Sequence, residues 1–500
     1  MPANLQNAVK RFFLPGKNGD PLPKYPLLDH IVMVYVGVVL LTYVLFLIAP
    51  FVTLIAKTPL YSIQSYLGIL GGVLLLADLF TNKTLWRGPY VILLYGICFI
   101  ALISSVLTIS YGISDNLFIL CWTVVQFSLF YSFAYRQGGD RIRTFFKGVF
   151  YVILFFWVIA CCVSIYQYIF QIGYTYVVDP LSDDGSVARQ GFLDNRLFGI
   201  FNPLNHAAYV SLMLLISLVY VIVTSKKKSE IALLVPGGMV LLLHLMLASS
   251  RSAVISMIVS IFVVCVFELR NRICCGGAKK FFRVVLLSLL ITACCLGCFE
   301  GIKSAVAKVP DFTAAFLEKA DNTEEPEEAD KNLLARKDIE GNVANNRFQI
   351  WEDYLSLYKE IGLFGFSPGN YMTYIRENDP DLYIVSYIEE NFPEKADANM
   401  IYHVHNGYLM TFVSAGFLGS LLMIVFIFLC LKKIISCLIR QKTLSHEYIF
   451  ALALILSGAI SAVFDKGLFF MNNPATFLFW LAFGFVMMKS CEAIKEETES

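Results

Sequence analysis

Charge is scarce in this chain: Asp, Glu, Lys and Arg make up 15% of its 500 residues, against 57% hydrophobic, and the mean hydropathy is +0.67. So little charge excludes an ordinary soluble domain, in which about a quarter of the residues are charged. Several signatures are missing as well. There is no Walker loop, no dinucleotide fingerprint and no HExxH, which leaves ATP-driven transport and zinc proteolysis without support. No internal repeat stands out, unlike the paired halves of many carriers. None of the 13 cysteines falls in the two long connections that an oxidising compartment would reach, so they form no disulfide framework. The "CCLGC" at 294 to 298 lies inside an apolar run without a second thiolate or imidazole pair, and reads as small packing residues rather than a metal site.

What is present is a succession of long apolar runs. Each supplies the roughly 20 residues needed to cross about 30 Å of hydrocarbon, where only helices or closed barrels satisfy the backbone. The runs are too long and uniform for barrel strands. Twelve spans are expected, at about 29–50, 60–80, 90–110, 116–134, 148–171, 204–224, 231–249, 252–269, 281–299, 404–430, 447–464 and 470–489. The fold class is therefore an all-α polytopic membrane protein. Its expected divisions are a tail at 1–28, nine spans over 29–299 with a connection at 172–203, a large loop at 300–402, three spans over 403–489 and a tail at 490–500.

Residues 1–28 are basic, rich in proline and glycine, and lack a small-residue cleavage site, so a cytoplasmic tail is expected, with a short interfacial helix around "LQNAVKRFF". With that end inside, the tails and inner connections hold 24 of the 39 basic residues. The short outer connections hold five: Lys57, Arg189, Arg196, Arg251 and Lys466. Both termini then face the cytoplasm, and the expected location is the cytoplasmic membrane. The loop at 300–402 carries 21 Asp and Glu against 10 Lys and Arg, so nucleic acid is not an expected partner.

Within that loop, "DNTEEPEEAD" (321–330) reads as a solvated charge run rather than a calcium site. Pattern returns at "NNRFQIWEDYLSLYKEIGLFGFSPGNY" (345–371). Phe348, Trp351, Tyr354, Leu355, Tyr358 and Ile361 recur at helical spacing until Gly362, which predicts an amphipathic helix resting on the bundle or at the membrane surface. The "FGFSPGN" that follows is turn-rich, and its backbone can approach a ligand or another helix.

Four places put polar groups at the outer boundary. "RQGFLDNRLFGIFNPLNHAAY" (189–209) holds Arg189, Arg196 and Asn205; "ASSRSA" (248–253) holds Arg251; Arg347 stands one turn before Trp351; and "HVHN" (403–406) holds His403, His405 and Asn406. Each has a structural reading too. Arg347 can stack on Trp351, Arg251 can snorkel from a helix end, and Asn205 and His206 can cap the sixth span. His403 reads as solvated and His244 as a satisfied interior histidine, while His30 and His446 belong to the cytoplasmic side. Arginines converging at a boundary suit a ligand with clustered phosphate oxygens, and an imidazole beside them can accept a proton near neutral pH. Transfer chemistry on a lipid-linked phosphate is the expectation.

In "GIFNPLNHAAY", "LASSRSAVISM", "NNRFQIWEDYLSLYKEIGLFGFSPGNY" and "HNGYLMTFVSAGFLGSLL", spread over about residues 190 to 430, the sequence resembles the O-antigen ligase and polymerase family of bacterial membrane glycosyltransferases. The resemblance implies a GT-C-like bundle and an inverting, metal-independent transfer from an undecaprenyl-pyrophosphate-linked glycan to a glycan, lipid or protein acceptor. No cofactor is implied, and other polysaccharide-assembly proteins are implied partners. It would assign Arg196, Arg251 and Arg347 to the pyrophosphate and His405 to acceptor activation, with Asn406 and Tyr408 positioning it. The acidic insert around Glu324 and the extra His403 have no counterpart in the pattern. A polymerase of surface polysaccharide is expected ahead of a ligase. A flippase of lipid-linked oligosaccharide and a membrane sensor are the readings from other classes.

Overall fold

The computed structural model describes residues 26–137, 140–177, 187–273, 278–321, 347–391 and 404–499. Among these, eleven helices are long and apolar enough to cross a membrane, and the protein is an all-α polytopic membrane protein. The spans expected at 204–224 and 447–464 are the helices Leu204–Thr224 and His446–Phe464. The span expected at 90–110 is the apolar helix Val91–Leu107, whose 17 residues reach about 25 Å at 1.5 Å per residue. Two helices outrun expectation. Ala278–Val306 passes through a turn into Val309–Asp321, and Gly407–Arg440 extends well beyond residue 430.

Side chains sort by solvent as a bilayer requires. Leu76, Phe155, Leu290, Ile424 and Phe428 point outward as lipid-facing apolar groups. Trp122, Trp157 and Trp480 are fully buried. Tyr43 meets Trp122 and Phe477 edge-on, and Trp480 packs against Phe127 and Phe426, so aromatic contacts fill the centre where helices cross.

One end of the bundle is pinned by ion pairs. Arg136 meets Asp29 at 2.6 Å, Arg143 meets Glu447 at 2.6 Å and Lys147 meets Glu230 at 2.7 Å. At the same end His446 Nδ1 lies 2.5 Å from Glu268. This is the end of the basic connections, opposite the long loop.

At the other end the connection 172–203 contains a three-stranded antiparallel sheet: β1 (Gly173–Val177), β2 (Val187–Leu193) and β3 (Arg196–Gly199). The β2–β3 hairpin turns on Asp194 and Asn195, both with positive φ (50° and 56°), a conformation that Asn and Asp tolerate better than other side-chain-bearing residues.

The predicted amphipathic helix is two pieces, Arg347–Ser356 and Tyr358–Ile361, with Ile350, Tyr354 and Ile361 buried against the bundle and Phe348 and Leu355 exposed. The turn-rich loop after it approaches a helix. The helix Gly407–Arg440 breaks at Gly416 (φ 63°, ψ −162°), where an added β-carbon would collide with the Leu363 carbonyl. The backbone groups freed by that break are bonded by the loop: Phe366 N–H donates to Val413 O (2.7 Å), Phe417 N–H to Gly362 O (3.1 Å) and Leu418 N–H to Leu363 O (3.2 Å). Farther on, Gly369 N–H donates to Asn116 Oδ1 (2.5 Å), and Asn370 Nδ2 donates to Gly112 O (2.5 Å). The long loop is thereby stitched to the ends of Val91–Leu107 and Ser114–Val125.

Residues 1–25, including the stretch expected as an interfacial helix, lie outside the described residues, as do 322–330 of the acidic run and His403.

Candidate active site

His405 Nδ1 lies 3.6 Å from Asp465 Oδ1, an ion-pair distance. Both neighbours of the histidine are fixed. Trp351 Nε1–H donates to Val404 O at 3.0 Å, which ties the segment to the helix Arg347–Ser356. Asn406 caps Gly407–Arg440, accepting from the backbone amides of Tyr408 and Leu409 at 3.0 Å each. His405 itself adopts φ +50°, which costs a residue with a β-carbon about 1–2 kcal/mol and is held by these contacts. Gly407 sits so close to the Gly467 carbonyl that no side chain would fit. That close approach seats the histidine beside the loop that carries Asp465.

Asp465 ends the helix His446–Phe464, and its loop is braced. Trp480 Nε1–H donates to Leu468 O (2.8 Å), Gln126 Nε2–H to Met471 O (2.7 Å) and Thr476 Oγ1 accepts from Leu468 N–H (3.3 Å). The Asp465 side chain is only 11% exposed. Burial alone would raise its carboxyl pKa. The His405 imidazole, with His206 and the Arg347 guanidinium nearby, outweighs burial and holds it well below the usual carboxylate range. Asp465 is thus an anion ringed by His405, His206 and Arg347.

Arg196 opens β3, directly after the Asp194–Asn195 turn. Its Nη2 donates to Asn205 Oδ1 (3.2 Å), its Nε points at Ala248 O (3.5 Å) and the guanidinium lies 5.6 Å from the Phe198 ring centre. Ala248 ends one helix and Arg251 begins the next, with Ser249 between them at φ +49°. Arg196 and Arg251 therefore occupy adjoining chain ends. Asn205 and His206 line a narrow cleft with Asp465 and Lys466, whose free volume of about 30 Å³ is room for about one water. Through Asn205 and Asp465 the cleft joins Arg196 to the His405 and Arg347 side of the site.

Other candidates fall elsewhere. Arg189 is exposed and pairs with Asp194 at 2.7 Å across its own hairpin. Tyr408 Oη donates to Ala459 O (2.9 Å), bracing two helices. Trp351 holds the Val404 carbonyl. Asn205 and His206 do not cap the sixth span: that helix is preceded by Pro203 with no side-chain cap, and Asn205 serves Arg196 instead. His244 is an interior histidine, 2.9 Å from Ser211 Oγ and edge-on to Phe201. The residue that pattern reasoning passed over is Asp465. Its signal was a carboxylate at the end of an apolar run, "SAVFDKG", where a lone charge needs a partner. Among the described residues no group of three or more His, Cys, Asp or Glu is placed to hold a metal ion.

Residues 236–425 match the sequence model of the family described as O-antigen ligase. Over that stretch the chain is similar to the O-antigen ligase family. No curated protein matches the chain. The O-antigen ligase match contains Arg251, Arg347 and His405; Arg196 precedes it and Asp465 follows it. That match supports, at a coarse level, a membrane enzyme of glycan transfer with lipid-linked glycan as its class of substrate.

Proposed function

We propose that the protein is an inverting glycosyltransferase that polymerises undecaprenyl-pyrophosphate-linked oligosaccharide into surface polysaccharide at the outer face of the cytoplasmic membrane, without a catalytic metal. The observation that carries this reading is the meeting of the His405 imidazole and the Arg347 charge at one buried carboxylate, Asp465, on a cleft whose far wall, Asn205, binds Arg196.

The chemistry is a single displacement. An acceptor hydroxyl attacks the anomeric carbon, the bond from that carbon to the pyrophosphate oxygen breaks with its electron pair leaving on the phosphate, and the hydroxyl proton passes to His405. With Nδ1 facing Asp465 at 3.6 Å, an ion-pair contact, Nε2 is the nitrogen assigned to take the proton. The Asp465 carboxylate then stabilises the imidazolium that forms. Arg196, Arg251 and Arg347 neutralise charge growing on the leaving pyrophosphate, and each such donor is worth roughly 10²–10³ in rate when preorganised. Guanidinium suits the task because it stays charged and grips phosphate oxygens in pairs.

Transfer of a finished glycan to lipid or protein uses the same chemistry, and the family description favours it as the second reading. Purified protein in nanodiscs with undecaprenyl-pyrophosphate oligosaccharide as sole substrate separates the two. A polymerase yields a ladder of products; a ligase yields none until its acceptor is added.

A further inference from the structure

The cleft beside Asp465 is water-sized, yet glycan transfer requires sugar rings to be held near the reacting bond. A second recess, with about 300 Å³ of free volume, lies at the same end of the bundle and has the volume of a small ligand pocket. Its wall forms where residues 200–202 run against residues 47–49. Ala49 N–H donates to Ile200 O (2.9 Å), Asn202 N–H donates to Leu47 O (2.9 Å), and Ile48 and Phe201 bridge between them. Asn202 lines the recess and stands three residues before Asn205, the acceptor for Arg196. The recess and the arginine cluster thus flank the start of one helix, Leu204–Thr224.

Phe46, Tyr61 and Phe118 give the recess aromatic faces, Gln64, Ser65 and Asn202 give it amides and a hydroxyl, and no lining residue is charged. Among the described residues the side chains of Gln64, Ser65 and Asn202 have no hydrogen-bond partner in the protein. A lipid tail would leave those groups unsatisfied, and a charged headgroup would find no counter-ion. A pyranose matches both features, with an apolar C–H face for the rings and hydroxyls for the amides.

We infer that this recess is a neutral-sugar subsite for the glycan of the transfer reaction. The inference rests on the proposed function for its substrate class, while the binding it requires is measurable without turnover. The probe is the single-repeat oligosaccharide released by mild acid from the source cell's own lipid-linked pool, titrated by saturation-transfer NMR against the full chain in nanodiscs. Gln64→Leu and Phe118→Ala are each expected to weaken binding about tenfold, as loss of one good contact does. Ser65→Ala is the milder variant should either fail to fold. Arg251→Ala is expected to bind the oligosaccharide as the parent does while losing transfer. Binding unchanged in Gln64→Leu, Phe118→Ala and Ser65→Ala overturns the subsite. Full transfer by Arg251→Ala would instead overturn the proposed reaction and leave the titration to decide the recess. In turnover, a raised KM for acceptor assigns the recess to the acceptor glycan, and weakened donor binding assigns it to the donor; either supports the subsite.

Discussion

Asp465 Oδ1 stands 3.6 Å from His405 Nδ1, a contact made between the end of one membrane helix and the start of another. If the carboxylate orients and charges the imidazole, Asp465→Asn should leave the protein folded and lower kcat by roughly 10² or more, with a smaller effect on KM. A readout specific to orientation is rescue: Asp465→Glu should recover part of the lost kcat while KM changes little. Equal kcat for the parent and the Asn variant would reduce Asp465 to packing.

The same carboxylate links folding to pH. Its pKa in the folded protein lies below the ordinary carboxylate value of about 3.9, so ionised Asp465 stabilises the fold at neutral pH. That contribution is complete above about pH 5 and is lost as pH falls toward the lowered folded-state pKa. The Tm of the parent in nanodiscs should therefore fall more steeply between pH 6 and about pH 3 than that of Asp465→Asn.

Gly407 supplies a test by geometry alone. Because a β-carbon there would meet the Gly467 carbonyl, Gly407→Ala must push the His405 segment away from the Asp465 loop. A stability loss of about 1–3 kcal/mol is expected, read as a lowered Tm, with activity falling further than the Tm shift explains.

Much of this architecture is legible in the residues, and the part that is not has a common cause. Apolar runs gave most span starts within a few residues, because the bilayer imposes its thickness on every helix, while Gly407–Arg440 runs about ten residues past its expected end. His405 was visible as an imidazole at the lip of an apolar run. Asp465 was not, since its partner arrives by tertiary packing between helices that sequence spacing does not relate. Asn406 and Tyr408 were expected to position His405; Asn406 caps the helix that starts beside it, and Tyr408 bonds Ala459 O. The sheet at 173–199 stayed hidden because its strands are short and its Asp194–Asn195 turn lies inside a polar connection.

The stitching of the long loop is a separate expectation. Asn116→Ala removes the acceptor for Gly369 N–H and a donor to Asn370 Oδ1, leaving buried groups unpaired at a cost of about 1–3 kcal/mol. Hydrogen exchange over residues 365–378 should quicken, while the ion-paired end of the bundle keeps its protection.

The most direct measurement is transfer by the purified chain in nanodiscs, supplied with undecaprenyl-pyrophosphate oligosaccharide and EDTA, comparing the parent with His405→Ala, Arg251→Ala and Arg251→Lys. The account predicts a product ladder from the parent despite the chelator, and its loss by roughly 10² or more in each folded variant, lysine failing because it lacks the paired guanidinium donors. Undiminished elongation by folded His405→Ala, or by folded Arg251→Ala, would contradict it.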